Sequence, residues 1–210
     1  MNKLSSTAKI YIISTILIGL GLIGWMVVEL DWAKPGFYLL AALGAVAQTL
    51  KVEGPDDRTN YSIAWFVYGF TFIALGPAAA VFVVVVSHLV EWVWHKYPWY
   101  IQSFNIGAHI IPVFLSGLVF EAVSRGINVA DLNGALGLAA ASLIFVFGNH
   151  FLVGVVVKLA RGQSFAESGV FGLFTLFLDV TGLPMGAVTA LIWSQNPFAS
   201  VLNILPLYLL

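Results

Sequence analysis

Residues 61–96 read YSIAWFVYGFTFIALGPAAAVFVVVVSHLVEWVWHK, with no charged side chain before Glu91. The only break is Gly76-Pro77, a dipeptide that ends regular structure on either side of it. It separates the apolar runs 61–75 and 78–94. Read as a turn, the stretch is a membrane hairpin. Read as a kink, it is one long span, and every later loop changes sides of the bilayer.

Composition sets the frame for that choice. The chain has 210 residues, 60% of them hydrophobic and 9% charged, against about 25% charged in a soluble domain. Several uninterrupted apolar runs approach the roughly 20 residues needed to cross a hydrocarbon core. The expected fold is therefore all-α, a polytopic transmembrane helix bundle forming a single domain over residues 1–210. A transmembrane barrel would need alternating segments of about ten residues instead of solid apolar blocks. A net charge of −1 with no basic patch gives no reason to expect a nucleic-acid partner. The absence of cysteine excludes disulfides, thiolate metal sites and a cysteine nucleophile. Lys3 and Lys9 precede an apolar run over 10–28, longer than a signal-peptide core of about 7–15 residues and lacking a small-x-small cleavage site. It reads as a retained first span.

About eight segments follow from the apolar blocks: 8–28, 37–50, 61–75, 78–94, 101–123, 135–159, 168–193 and a last one from 197. The seventh carries an expected bend at Gly182-Leu183-Pro184. A charged turn fills 51–60, and an aromatic corner with Pro98 fills 96–100. Segments two to four are short. The eighth is still apolar at Leu210, which predicts that the chain is the N-terminal membrane part of a longer protein, with a cytoplasmic region to follow.

Positive charge decides between hairpin and kink. With eight spans and a cytoplasmic N-terminus, Lys3, Lys9, Lys51, Arg58, Lys96, Lys158 and Arg161 lie inside, and Lys34 and Arg125 outside, seven against two. Merging segments three and four moves Lys96, Lys158 and Arg161 out and Arg125 in, five against four. The hairpin is the reading with a bias. The aromatics agree, because Trp92, Trp94, Tyr97, Trp99 and Tyr100 then form one inner belt, with Trp32 and Trp193 outside. Segments two and three span only about 21–22 Å at 1.5 Å per residue, against a core of about 30 Å. Either the bilayer thins there, or the hairpin tip sits below the surface under a cover of protein, as a binding cavity or simply as a recessed loop.

Ionisable groups inside spans are costly and face the bundle interior. The candidates are His88 and Glu91 on the fourth segment, Asn105 and His109 on the fifth, Asn149 and His150 on the sixth, and Asp179 on the seventh. Counted from the inner helix ends, His88, His109, His150 and Asp179 lie at depths of roughly 9–17 Å, in one layer. Asn105 and His109 are four apart and His88 and Glu91 three apart, so each pair shares a helix face. Three readings compete for this layer. It is a proton- or ligand-responsive cluster, a transition-metal site built from His88, Glu91, His109 and His150, or interhelical hydrogen-bond glue. A dedicated metal is not assigned, and no cofactor is implied. Gly19, Gly21, Gly24, Gly134 and Gly137 read as close-packing positions. No phosphate loop, Gly-x-Ser-x-Gly or His-Glu-x-x-His motif occurs, so no catalysis is expected.

The order of several short motifs carries a resemblance. Leu75-Gly76-Pro77-Ala78-Ala79-Ala80 opens the fourth segment, Ser103-Phe104-Asn105 begins the fifth, and Phe147-Gly148-Asn149 lies in the sixth. Leu159-Ala160-Arg161-Gly162-Gln163-Ser164-Phe165 forms the next inner turn. From about residue 37 onward the chain resembles the multi-span N-terminal domains that precede HD-GYP phosphodiesterase or GGDEF cyclase domains in bacterial signalling proteins. Asn105 and Asn149 match that pattern; His88, His109 and His150 are particular to this sequence. The resemblance implies a membrane-embedded sensory domain in the bacterial inner membrane. It would be a homodimer that binds a small-molecule ligand or a proton, and it would regulate a cytoplasmic cyclic-dinucleotide enzyme through the last helix. The rival expectations are a vitamin-type small-molecule carrier subunit and a structural subunit of a membrane complex.

Overall fold

The structure is a computed structural model, and it describes residues 1, 4–50, 52–53, 60–124 and 131–204. The charged turn around Lys51 and Arg58, the loop with Arg125, and Lys3 lie outside the described residues, as does the chain from 205 to Leu210.

Among the described residues the chain forms eight α-helices: α1 (Ser6–Met26), α2 (Pro35–Thr49), α3 (Ala64–Leu75), α4 (Pro77–His95), α5 (Trp99–Ser124), α6 (Leu132–Arg161), α7 (Leu173–Gln195) and α8 (Pro197–Ile204). A 3-10 turn, Val27–Glu29, extends α1. Strands β1 (Val52–Glu53) and β2 (Asn60–Tyr61) make a two-residue antiparallel ladder between α2 and α3. Five helical stretches are long and apolar enough to cross a membrane: Ser6–Glu29, Pro77–His95, Trp99–Ser124, Leu132–Arg161 and Leu173–Gln195. Among the described residues the other three helices are shorter than a span. The 12 residues of α3 reach only about 18 Å at 1.5 Å per residue.

Local chemistry sets the ends. The Ser5 hydroxyl caps α1 by accepting the Ala8 N–H at 3.2 Å, and prolines open α2 and α4, where the missing N–H costs nothing. Gly162 ends α6 in the left-handed conformation, φ 72°, which a residue without Cβ adopts at no steric cost. Helix α7 begins at Leu173, not at 168 as the apolar pattern predicts. Ser164 and Glu167 fold the preceding residues into their own turn: the Glu167 carboxylate accepts the Ser164 N–H at 2.7 Å and its hydroxyl at 2.8 Å. Both α5 and α7 run through an internal proline, Pro112 and Pro184, as single helices.

The Gly76-Pro77 break is a reversal. Gly76 has φ 91°, and α3 and α4 lie side by side against α2. A Cβ on Gly44 would meet Val83 and Ser87 of α4 at 2.8 and 2.6 Å, and Val67 of α3 at 3.6 Å. Directions then alternate from α1 to α7. Ser5 and Tyr11 donate to the carbonyls of Leu159 and Leu152, so α1 opposes α6. Ser116 reaches Ala141 and Asn149 reaches Ala108, so α5 opposes α6. Helices α2 and α4 run parallel, pairing Phe37 with Phe82 and Gln48 with Glu91. Tyr68, Val81, Val84, Ile110, Val113, Phe145 and Val146 form the centre of the core, while Leu17, Trp25 and other apolar side chains of α1 point outward. An apolar exterior is the arrangement a bilayer solvates.

Glycines bring α3 and α7 together most closely. A Cβ on Gly69 would lie 2.0 Å from the Leu183 carbonyl oxygen, and one on Gly186 would lie 1.9 Å from that of Phe66. Gly19 of α1 similarly meets the Gly107 backbone, and Gly137 of α6 that of Phe120. Gly21 and Gly24 have nothing within 4 Å; both turn away from the bundle, which corrects their expected packing role.

Candidate functional site

Alternating directions gather the C-terminal ends of α2, α4 and α6 with the N-terminal ends of α3, α5 and α7. The buried His, Glu, Asp, Gln and Asn side chains of these helices cluster toward this end, in two groups.

The first is centred on α4. His88 and Glu91, one turn apart, are 2% and 1% exposed, with Nδ1 and Oε2 3.0 Å apart. The same Oε2 accepts the amide of Gln48 from α2 at 3.1 Å and that of Gln102 from α5 at 3.0 Å. Gln102 spends its second amide hydrogen on the His88 carbonyl at 2.6 Å. Both amide hydrogens are thus in use, and the 3.2 Å approach of its nitrogen to His88 Nδ1 is not a further bond. One proton therefore lies between Nδ1 and Oε2. The oxygen of Gln48 accepts, at longer range, from Tyr68 of α3 (3.4 Å), while the Ser62 hydroxyl donates to the Ala47 carbonyl at 2.7 Å. Among the described residues, His88 Nε2 and Gln102 Oε1 are buried with no hydrogen-bond partner.

His109 of α5 sits beside this group, its ring centroid 4.6 Å from that of His88 and 5.5 Å from that of Trp65. Its Nδ1 lies 2.9 Å from the Asn105 carbonyl. A carbonyl oxygen only accepts, so this nitrogen carries the hydrogen. Asn149 of α6 donates to the Ala108 carbonyl at 3.1 Å and approaches His109 Nδ1 at 3.3 Å. Asn105 thus enters through its backbone.

The second group joins α6 to α7. His150 Nε2 lies 2.8 Å from Asp179 Oδ2, and Nδ1 lies 2.5 Å from the Val170 carbonyl in the loop between the helices. Nδ1 must again be the donor, and the contact to Asp179 then holds one further proton. Wherever along it that proton sits, the pair is neutral overall, which is what burial of both side chains requires. The loop closes over it. Phe165 and Phe171, 5.5 Å apart at their centroids, press on Gly154, where a Cβ would lie 2.4 Å from the Phe165 ring.

Within the expected layer the side chains form two centres, His88–Glu91 with His109 and Asn149, and His150–Asp179. Asp179 lies six residues into α7, roughly 9 Å from its start. Among the described residues no three His, Cys, Asp or Glu side chains converge as metal ligands, so the four-residue metal set is not assembled. Sequence reading missed Gln48, Gln102 and Tyr68. The sequence signal for Gln48 and Gln102 is an amide side chain within an apolar helix. A cavity between α3, α5, α6 and α7, lined by Ser116, Ser142, Phe145 and Leu183, has a volume of about 10 Å³. That is room for about one water. Small-molecule pockets of the kind a carrier needs run to about 300–1,000 Å³.

Compared with known proteins, the chain matches no family model, no curated protein and no solved structure. Its fold and site define it as a helical bundle with several helices long and apolar enough to cross a membrane and a buried polar end.

Proposed function

We propose that this chain is a membrane-embedded input module, multi-pass in the bacterial inner membrane. The N-terminus and the polar end of the bundle face the cytoplasm. The module acts as a homodimer, performs no catalysis itself, and regulates a cytoplasmic cyclic-dinucleotide signalling domain through α8. The observation that carries this reading is the His150–Asp179 contact at 2.8 Å. It is a proton-dependent bridge between α6 and α7, and α7 leads directly into α8. A stimulus acts only by favouring one of two bundle arrangements over the other. A bridge that holds a helix through one proton, with its imidazole anchored on the Val170 carbonyl, is a bistable element of that kind. The downstream enzyme rests on the order of motifs from residue 37 onward.

The test uses cells carrying the full gene. Cyclic-dinucleotide level is followed as cytoplasmic pH is stepped, in wild type and in His150→Gln and Asp179→Asn variants. The expected result is a level that changes with pH in wild type and is fixed in both variants. A level that follows pH equally in all three overturns the bridge as the responsive element. A reading frame that encodes no cyclic-dinucleotide enzyme beyond residue 210 overturns the assigned output.

A further inference from the structure

The two histidine–carboxylate pairs differ in one respect that hydrogen-bond accounting brings out. Both nitrogens of His150 are engaged, one by a carbonyl and one by Asp179, so its proton count follows from geometry. In the α4 pair, only the proton between Nδ1 and Oε2 is determined. His88 Nε2 is buried with no partner, and nothing around it dictates whether it carries a hydrogen.

The charge of the centre depends on that atom and on the second oxygen of Glu91. Without a hydrogen on Nε2 or on that oxygen, the pair has net charge −1 in a site 1–2% exposed, which is costly in a low-dielectric interior. With one, the pair is neutral, whether the shared proton sits nearer nitrogen or oxygen. The groups facing His88 are Glu91 from its own helix, Gln48 from α2, Tyr68 of α3 behind Gln48, and Gln102 and His109 from α5. None of these is a fixed cation. Gln102 Oε1, a buried acceptor with no donor, is the complement of what protonation would create.

We infer that the His88–Glu91 pair, seated by Gln48 and Gln102, is a binding site for one exchangeable proton, taken up at His88 Nε2. The step is a simple uptake. A proton from water forms an N–H bond with the Nε2 lone pair, no bond breaks, and the charge of the centre goes from −1 to zero. Gln102 belongs to the first turn of α5, so the site lies within one or two helical turns of the bundle's polar end. This inference does not depend on the input-module reading, because its readout is a protonation state and not an output activity.

The experiment is nitrogen NMR on the full chain in lipid bilayers, with ¹⁵N-labelled histidine and His88→Gln to assign the signal. The expected result is that Nε2 of His88 converts between lone-pair and protonated forms as pH is varied over the range in which the bundle stays folded, while Nδ1 keeps one form. Glu91→Gln removes the adjacent negative charge and is expected to change the proton occupancy of His88 at a given pH. An unmoved His150 signal verifies that this variant keeps its fold; if it does not, the wild-type titration alone decides. A His88 Nε2 signal that stays in one form across that range overturns the proposal, including the case in which a bound water occupies Nε2. So does a Glu91→Gln variant of intact fold with unchanged occupancy.

Discussion

At the scale of single residues, magnitude separates a functional bridge from ordinary interhelical glue. Hydrogen bonds between membrane helices average about 0.6 kcal/mol in double-mutant cycles, while bonds to charged groups contribute about 1.5–3 kcal/mol. The His150–Asp179 contact is short and buried, and its second imidazole nitrogen is anchored. A cycle of His150→Phe, Asp179→Leu and the double variant, read by unfolding in mixed micelles, should give a coupling of about 1.5 kcal/mol or more. A value near 0.6 would return the pair to glue. Outside the membrane, Glu167 offers a pH-dependent contact. The Ser164 N–H and then the Ser164 hydroxyl hold its carboxyl below the ordinary value. A depressed carboxyl stabilises the turn fully above the ordinary glutamate range, and that contribution is lost as pH falls through the lowered value. Ser164→Ala should therefore raise the midpoint of the Glu167 carboxyl ¹³C titration, and an unchanged midpoint would remove the hydroxyl from the account. The ionisable members of both centres were readable in the chain, because charge inside an apolar run is rare. The carbonyls of Val170 and Asn105 were not, because any residue supplies a carbonyl.

At the scale of helices, the apolar blocks mark where long helices run but do not rotate them. Gly21 and Gly24 look like a packing stripe in sequence, yet they face open space, whereas Gly69 and Gly186 form the tightest approach in the bundle. Contact depends on the azimuth of a helix, which an all-apolar segment does not encode. The start of α7 was misplaced for a related reason. Gly169, Val170 and Phe171 continue the apolar block, Phe171 packing with Phe165 over Gly154, and the same composition would suit a first helical turn. These contacts predict opposite outcomes for one substitution. Gly69→Ala or Gly186→Ala places a methyl on a carbonyl oxygen and should destabilise by about 1–3 kcal/mol or more. Gly21→Ala should be neutral or should stabilise by up to about 1 kcal/mol, through helix propensity alone. Thermal unfolding in detergent compares them directly. Equal effects at Gly69 and Gly21 would contradict the α3–α7 seam.

At the scale of the whole molecule, charge and contact geometry converge from independent directions. The lysine and arginine count, seven against two, concerns only which side of a membrane each loop prefers. The contacts of Ser5 with Leu159, Ser116 with Ala141, and Gly44 with both α3 and α4 concern only the relative directions of helices. Both require a reversal at Gly76-Pro77, so Lys96, Lys158 and Arg161 stay at the end of the bundle where α1 begins. What charge adds is the absolute side, and a cysteine-free chain makes that side measurable. Gly76 and Gly162 are poor labelling sites because their positive φ strains any substituent. Exposed neighbours serve instead: Ala33, Ala74 and Gln195 at one end, and His95 and Ala166 at the other. Each is replaced singly by cysteine in intact cells. Ala33→Cys and Gln195→Cys should react with a membrane-impermeant maleimide from outside, and His95→Cys and Ala166→Cys only after the cells are opened. Ala74→Cys, beside the tip of a hairpin whose α3 leg reaches about 18 Å, should react from outside more slowly than Ala33→Cys. Labelling of Ala166→Cys from outside would invert the bundle and move both histidine–carboxylate centres to the opposite face of the membrane. Equal rates at Ala74→Cys and Ala33→Cys would mean that the bilayer thins to meet the hairpin.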